Sequence, residues 1–179
     1  AERIVDNLTS LGQNPLEDEL REDARHFAAV SDVVQAATES VRNEVAVKHV
    51  NLKTAGGFDV LVKGQAPMLV AVVRNLLANA VKFSQAGGAV TVRCDVTPDT
   101  VALSVRDEGL GMDAETADRL NRGERVPTTP GSEGEIGAGV GLSVARAFAD
   151  ALGAQLAFAS EPGAGSTVTM RMRRHREGP

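Results

Sequence analysis

The sequence has one cysteine, no long hydrophobic run and no excess of positive charge. Cys94 has no second cysteine with which to form an internal disulfide, and its alternating surroundings, Val90 to Val96, predict a role in core packing. No apolar stretch approaches the roughly 20 residues that cross a bilayer. A net charge of -5 argues against a broad nucleic-acid-binding surface. These absences predict a soluble chain with no nucleic-acid partner.

Two common phosphate-binding motifs are also missing. The sequence contains no Gly-x-x-x-x-Gly-Lys-Ser/Thr motif, and a dinucleotide fingerprint would need glycine at the position of Leu142. The chain begins at Ala1 without an initiator methionine or an apolar leader, so we expect it to be a piece of a longer protein.

The hydrophobic periodicity predicts one α+β domain. Its length of 179 residues and hydrophobic content of 42% fit a single core. Expected helices are a short one from Ile4 to Leu11, one opened by a Ser31 cap and running to about Lys48, one from Pro67 to Phe83, and one from about Val140 to Leu152. Expected strands are Phe58 to Val62, a hairpin of Val90 to Val96 and Val101 to Val105, and a pair formed by Gln155 to Ser160 and Ser166 to Met172, followed by a frayed tail from Arg171 to Gly178. We therefore predict a two-layer α/β sandwich, in which helices cover one face of a mixed, mostly antiparallel sheet.

A segment at about 121–137 has no apolar period and is rich in glycine, proline, threonine and charge. It is longer than an ordinary connection, which predicts a mobile functional loop. We call this segment the lid.

The first chemical motif lies on the helix from Pro67 to Phe83. Asn75, Asn79 and Lys82 are spaced to share one helical face. An amide oxygen suits Mg²⁺, and a lysine can neutralise phosphate charge. The alternative interpretation is an ordinary polar face of an amphipathic helix.

The second motif ends the hairpin. Side chains alternate along a strand, so Asp107 points to the same face as Val101, Leu103 and Val105. A buried carboxylate needs matching donors, and an adenine amino group is one of them. The alternative is that Asp107 only caps the turn at Gly109, although Gly109 and Gly111 also leave room for a flat base.

The third motif opens the last predicted helix. Gly137, Gly139 and Gly141 precede Leu142, where backbone N–H groups and the positive helix end would suit phosphate oxygens. The alternative is that these glycines only allow close helix packing.

In this order, the three motifs closely resemble the catalytic ATP-binding domain of bacterial sensor histidine kinases, in the wider GHKL ATPase superfamily, which has the Bergerat fold. The resemblance covers roughly Phe27 to Arg173. It implies ATP and Mg²⁺ as cofactors, a cytoplasmic location and a parent protein that is a homodimer, whether or not that parent is attached to a membrane. It also divides the chain into residues 1–14, the end of a dimerisation helix or a linker, and residues 15–179, the ATP-binding domain.

The resemblance also implies roles for individual residues. Asn75, Asn79 and Lys82 are catalytic, with Asn79 the Mg²⁺ ligand. The remaining positions bind the nucleotide: Phe83 near the base, Asp107, Gly109 and Gly111 in the first glycine box, Gly137, Gly139, Gly141 and Leu142 in the second, and Thr167 after the turn Gly163 to Gly165. Arg122, Arg125, Thr128 and Thr129 are expected to contact phosphate, or else to be solvated lid residues, because the lid lacks a clear phenylalanine-rich box.

Asn75 separates the subclasses of this superfamily. Hydrolases and serine kinases of this type carry glutamate there, and an amide cannot activate water as a general base. We therefore expect phosphate transfer to a histidine on a dimerisation domain outside the chain, and from there to a response regulator. His26, His49 and His175 lack the acidic neighbour of a phosphoacceptor. The alternatives are a serine kinase or ATP hydrolase of the same fold, and a degenerate regulatory module that binds a ligand.

Overall fold

The computed structural model describes residues 27–127, 129–134 and 140–175. The short helix expected from Ile4 to Leu11, and the division of the chain after residue 14, lie outside these ranges. The helices are α1 Val30–Ser40, α2 Arg42–Val47, α3 Ala66–Phe83, α4 Ala114–Asn121 and α5 Gly141–Ala151. The strands are β1 Phe27–Ala29, β2 Asn51–Gly56, β3 Leu61–Lys63, β4 Ala89–Val96, β5 Thr100–Asp107, β6 Gln155–Glu161 and β7 Gly165–Arg173.

A five-stranded sheet and the helices packed on it form the two layers. The strand order is β2-β4-β5-β7-β6; β2 runs parallel to β4, and the other neighbours are antiparallel. Strands β1 and β3 form a separate antiparallel pair. The predicted sandwich with a mixed, mostly antiparallel sheet is confirmed.

Helix α3 is the central helix of the core. Pro67 lies in its first turn, as predicted. The N–H groups of a first turn have no acceptor within the helix, so proline, which has no N–H, loses no hydrogen bond there. Its apolar stripe is buried as predicted, at Leu69, Val72, Val73, Leu76, Leu77 and Ala80. The helix packs against α1 and α5, so it lies between the other two core helices. Each large aliphatic side chain buried in this way stabilises the fold by about 1.5–3 kcal/mol.

The predicted hairpin is confirmed. Strands β4 and β5 pair antiparallel, and Val101, Leu103, Val105 and Asp107 are all buried. Cys94 is buried in β4, as predicted, and burial raises the pKa of its thiol.

Three local predictions in the N-terminal half were wrong. Ser31 does not cap α1: the N–H groups of Val30 and Ser31 donate to the carbonyls of Val60 and Phe58, so the backbone does the capping. For the same reason the strand predicted from Phe58 starts only at Leu61. The helix predicted to run unbroken to Lys48 is interrupted at Val41.

The frayed tail predicted from Arg171 to Gly178 was also wrong over 171–175, the part that the structure describes; residues 176–178 lie outside the described ranges. Arg171 to Arg173 belong to β7, Arg174 bridges to Val62, and the N–H of His175 donates to Leu61. The His175 ring lies 3.6 Å from that of Phe27, centroid to centroid. His175 is therefore a packing residue, and His49 is exposed.

Helix α4 and strand β2 were not predicted. The side chain of Asp113 caps α4 by accepting a hydrogen bond from the N–H of Thr116 at 2.7 Å. At the other end of α4, Asn121 exchanges two hydrogen bonds with the backbone of Phe158. The first residue of the lid, Asn121, is therefore fixed to β6.

Candidate functional site

Helix α3 contacts the turn of the second motif at Phe83 and Gly141 of the third motif at Asn75. Asn75, Asn79 and Lys82 lie on it and are partly buried, at the border between the core and the solvent. From there α3 meets the start of α5, the turn after β5 and the end of the lid. The structure thus brings the first motif next to the second and next to Gly141, the described glycine of the third.

Asn75 lies against the start of α5. A Cβ atom added to Gly141 would lie 2.9 Å from the Asn75 amide oxygen, so glycine allows this close approach. The amide nitrogen of Asn75 donates to the carbonyl of Ala71, one turn earlier, at 2.9 Å. The amide is therefore held along its own helix, with its oxygen toward α5.

Lys82 extends from the C-terminal end of α3 toward the lid. Its ammonium donates to the carbonyl of Thr129 at 2.9 Å and lies 4.8 Å from the centroid of the Phe83 ring. The Lys82 ammonium, the Phe83 ring and the lid backbone therefore meet at one point. This position would allow Lys82 to exchange a lid carbonyl for a phosphate oxygen.

The lid is also attached through Ser132. The Ser132 N–H donates to the carbonyl of Lys82 at 3.2 Å, and its hydroxyl donates to the carbonyl of Ser84. The carbonyls at the end of a helix lack intrahelical partners, and the lid supplies donors for them.

Asp107 is a buried carboxylate, 5% exposed, at the end of β5. Its Oδ1 atom accepts hydrogen bonds from the N–H of Gly109 at 2.9 Å and of Ser166 at 3.3 Å. Burial raises the pKa of Asp107, and the two N–H donors oppose that rise. Both roles considered for Asp107 are compatible with this geometry, because the turn at Gly109 engages Oδ1.

The glycines of this turn are required by backbone packing. A Cβ atom at Gly109 would lie 2.1 Å from the carbonyl oxygen of Phe83, and one at Gly111 would lie 1.9 Å from that of Glu161. Gly111 also has a φ of +65°, in the left-handed region that favours glycine. Backbone packing alone therefore excludes a side chain at both positions, and the expectation that the same glycines leave room for a flat base stays a prediction. The N–H of Leu110 donates to Phe83 at 3.1 Å and closes the contact with α3.

Two serines near Asp107 were missed in the sequence. Ser160 and Ser166 face each other across β6 and β7, with their hydroxyl oxygens 2.9 Å apart. The Ser160 hydroxyl accepts from the N–H of Met112 at 2.7 Å, and the Ser166 N–H holds Asp107. Ser166, one residue before Thr167, is thus the residue that contacts the carboxylate. The strand pair predicted from Gln155 to Ser160 and from Ser166 to Met172 placed both serines beside its turn, and this was the signal available in the sequence.

A hollow of about 330 Å³ lies over Asp107 and is also lined by Ser160, Ser166 and Thr167. A larger one, of about 800 Å³, lies beside the β1–β3 pair, with Asp59, Leu61 and Arg174 in its wall. None of the predicted site residues lines the larger hollow. We take the smaller one as the candidate position of the base because the buried carboxylate of Asp107 lines it. Among the predicted site residues only Asp107 and Thr167 line this hollow, and Asn75, Asn79 and Lys82 on α3 do not.

The other predicted site residues are less well connected to this centre. Arg122 pairs with Glu124 at 2.7 Å, so any phosphate contact would require that exposed ion pair to open. Arg125 is exposed, and its carbonyl accepts from Arg119. Leu142 packs against the core in the first turn of α5, a helix that has no side-chain N-cap. Gly137, Gly139 and Thr128 lie outside the described residues.

Within the described ranges, no group of three or more His, Cys, Asp or Glu side chains is placed to hold a metal ion. Among the described helices, α3 has the length and composition of a membrane span, but it is the core helix of the fold.

The α+β sandwich and the converging motifs define a nucleotide-binding domain, and the comparisons with known proteins identify which one. Residues 64–176, more than half of the chain, match the family of histidine kinase-, DNA gyrase B-, and HSP90-like ATPases. The chain belongs to this family, and ATP is therefore the expected nucleotide.

Curated relatives are histidine kinases. The chain is 33% identical over 166 residues to the histidine protein kinase DivJ of Caulobacter vibrioides, covering 90% of this chain and 27% of DivJ. It is 29% identical over 172 residues to the sensor protein QseC of Salmonella typhi, covering 96% of this chain and 36% of QseC. The chain thus spans about a third or less of these relatives.

Solved structures show the same fold. The mycobacterial sensor histidine kinase MprB superposes with a TM-score of 0.71 at 22% identity, over 86% of this chain and 99% of that one. The histidine kinase ThkA, in complex with the response regulator TrrA, superposes with a TM-score of 0.69 at 14% identity, over 84% of this chain and 42% of that one.

Proposed function

We propose that this chain is the catalytic module of a sensor histidine kinase, which transfers the γ-phosphate of ATP to a histidine on a dimerisation domain outside the chain. Family membership and the kinase relatives support ATP-dependent chemistry. The observation that selects transfer over hydrolysis is Asn75, which occupies the position of the general base in hydrolases of this fold.

The held amide of Asn75 explains this preference. Its nitrogen is engaged by the carbonyl of Ala71, and an amide oxygen is too weak a base to take a proton from water at neutral pH. A water molecule near the γ-phosphate would therefore lack activation by this residue. An external nucleophile that needs no such base, a histidine imidazole, would be favoured.

In the proposed complex, Asp107 accepts a hydrogen bond from the adenine amino group. The serine pair Ser160 and Ser166 positions that carboxylate through the N–H of Ser166. Lys82 neutralises phosphate charge, and the backbone N–H groups at the start of α5, with Gly137 and Gly139 before them, receive phosphate oxygens.

The residues present fit Mg²⁺ bound by Asn79 and by the phosphates of ATP. Mg²⁺ commonly takes few protein ligands and completes its shell with phosphate oxygens and water, which agrees with the absence of a carboxylate cluster among the described residues. When bound, Mg²⁺ would neutralise charge on the phosphates. Asn79 would then orient them relative to Lys82.

The transfer step is a substitution at phosphorus. An imidazole nitrogen of the acceptor attacks the γ-phosphorus, the bond to the β,γ-bridging oxygen breaks, and its electron pair leaves on ADP. The imidazole proton passes to solvent. A response regulator would next accept the phosphoryl group on an aspartate, and a neighbour in the structural comparison is a kinase bound to such a regulator.

We place the module in the cytoplasm, as part of a homodimeric parent protein. The proposal holds for a parent that is attached to a membrane and for one that is not. In support, a structure described as the cytoplasmic segment of QseC superposes with a TM-score of 0.58 over 97% of this chain.

The test mixes the chain with the separately expressed dimerisation domain of its parent and ATP labelled at the γ-phosphate. We expect acid-labile label on the histidine of the dimerisation domain, transferable to a response regulator, and little free phosphate from the chain alone. Acid-stable label on serine, or rapid phosphate release, would support the serine-kinase or hydrolase alternative. ATP binding without transfer to any histidine partner would support a regulatory module.

The metal role has its own test, because Asn79→Ala should remove only the Mg²⁺-dependent part of ATP affinity. Adenosine affinity, measured by calorimetry, should remain close to that of the unmodified chain. If ATP affinities with and without Mg²⁺ fall equally, Asn79 is not the ligand.

A further inference from the structure

Lys48 is a buried lysine with no place in the nucleotide chemistry described so far. It follows α2 directly, and it is only 5% exposed. A buried ammonium needs hydrogen-bond acceptors to offset its lost hydration. Its Nζ atom donates to the carbonyl oxygen of Lys82, 34 residues further along the chain.

The carbonyl of Lys82 is shared with the lid. The same oxygen accepts the N–H of Ser132 at 3.2 Å, and the Ser132 hydroxyl donates to the next carbonyl but one, that of Ser84. The carbonyl of Phe83, between them, accepts the N–H of Leu110. The end of α3 is thus held by α2, by the lid and by the turn that follows Asp107.

This junction carries the residues that point into the site. The Lys82 side chain reaches the lid carbonyl of Thr129 and crosses the Phe83 ring. A cation at the C-terminal end of a helix also interacts favourably with the helix dipole. Without the Lys48 ammonium, the Lys82 carbonyl would keep only its hydrogen bonds from Ser132 of the lid.

We propose that Lys48 is a positioning residue of the nucleotide site, which acts through the Lys82 carbonyl to fix both the Lys82 side chain and the attachment of the lid at Ser132. The inference rests on the proposed ATP site. It predicts that Lys48 affects phosphate binding much more than adenine binding, because the carboxylate of Asp107 is held by the N–H groups of Gly109 and Ser166 and not by the Lys82 carbonyl.

The test compares Lys48→Met with Lys53→Met, which changes an exposed lysine on β2. Affinities for adenosine and for ATP with Mg²⁺ are measured by calorimetry, and exchange of the Ser132 amide by NMR. We expect Lys48→Met to lower ATP affinity about tenfold and to change adenosine affinity less than twofold. Hydrogen exchange of the Ser132 amide should become faster. Lys53→Met should change none of these, and Lys48→Arg should restore most of the ATP affinity.

Equal losses for adenosine and ATP, or unchanged ATP affinity, would overturn the proposal, and so would a loss of ATP affinity with unchanged exchange at Ser132. If Lys48→Met does not fold, Ser132→Ala tests the same junction from the lid side. It should lower ATP affinity selectively, and unchanged affinity would again overturn the proposal. Failure of the unmodified chain to bind ATP would instead refute the proposed function.

Discussion

Asp107 is a buried carboxylate whose burial and hydrogen bonds act on its charge in opposite directions. Burial raises the pKa of Asp107 and outweighs the N–H groups of Gly109 and Ser166 that lower it. A carboxyl group with a raised pKa in the folded state stabilises the fold at acid pH, and that contribution is lost as the pH rises through the raised value. At neutral pH the ionised side chain therefore costs stability, while it provides the acceptor that adenine would need.

We expect Asp107→Asn to be more thermally stable than the unmodified chain at neutral pH, because asparagine keeps the acceptor oxygen for both N–H groups without a buried charge. The gain should shrink as the pH falls through the raised pKa. Adenosine affinity should meanwhile fall roughly tenfold or more, since a hydrogen bond to a charged group contributes about 1.5–3 kcal/mol. Melting curves across a pH series and calorimetry check this. If Asp107→Asn is less stable than the unmodified chain at every pH, the buried charge of Asp107 does not cost stability, contrary to this interpretation.

Gly109 offers a test of whether backbone packing or the ligand demands glycine. Gly109→Ala would press a Cβ atom against the Phe83 carbonyl, and overpacking of this kind costs about 1–3 kcal/mol. The melting temperature of the nucleotide-free chain should therefore fall by several degrees. Gly57→Ala, where a Cβ atom meets nothing within 4 Å, is the matched control. An unchanged melting temperature for Gly109→Ala would mean that the turn moves freely and that only the ligand requires glycine there.

At the scale of elements, periodicity predicted those that are buried on one face. Helix α3 and the β4–β5 hairpin have regular apolar stripes, and the structure has both as expected. Strand β2 lies at the sheet edge and is mostly exposed, so it has no stripe to detect. Phe58 and Val60 alternate with polar residues as in a strand, but their carbonyls cap α1, and the N–H of Val60 donates to Phe58 within a tight turn.

The same limit applies to the site. Asn75, Asn79, Lys82 and Asp107 could be chosen as candidates from the sequence because they belong to spaced motifs, and their roles stay predictions. The contacts of Lys48 and Ser132 with α3 join residues 34 and 50 positions away along the chain. Such contacts depend on the packed tertiary structure, and no local pattern indicates them.

The lid can be tested as an element. We expect ATP with Mg²⁺ to slow hydrogen exchange between Arg122 and Gly134, because phosphate would supply partners for exposed lid groups. The β4–β5 hairpin serves as the internal reference, since its ladder is complete without nucleotide. Equal exchange in the lid with and without ATP would identify it as a rigid structural loop.

At the scale of the whole molecule, the chain spans 27% of DivJ and 36% of QseC. Our proposal puts the phosphoacceptor on another part of the parent protein. Two domains on one chain meet at an effective concentration in the millimolar range for a short linker. Domains mixed as separate chains meet only at their actual concentrations. The rate of transfer should therefore depend on how the two parts are connected.

We expect a fusion of the dimerisation domain to the N-terminal end of this chain to phosphorylate its histidine at a rate that is independent of dilution. The same domains mixed at micromolar concentrations should react in proportion to the concentration of either one, and more slowly. Labelling rates over a dilution series of fused and mixed domains provide the measurement. Asp107→Ala, introduced into the fusion and into the separate chain, should slow labelling in both samples at subsaturating ATP. A fused rate that falls with dilution, at concentrations where the fusion remains a dimer, would show that the histidine belongs to a different dimer and that the proposed arrangement is wrong.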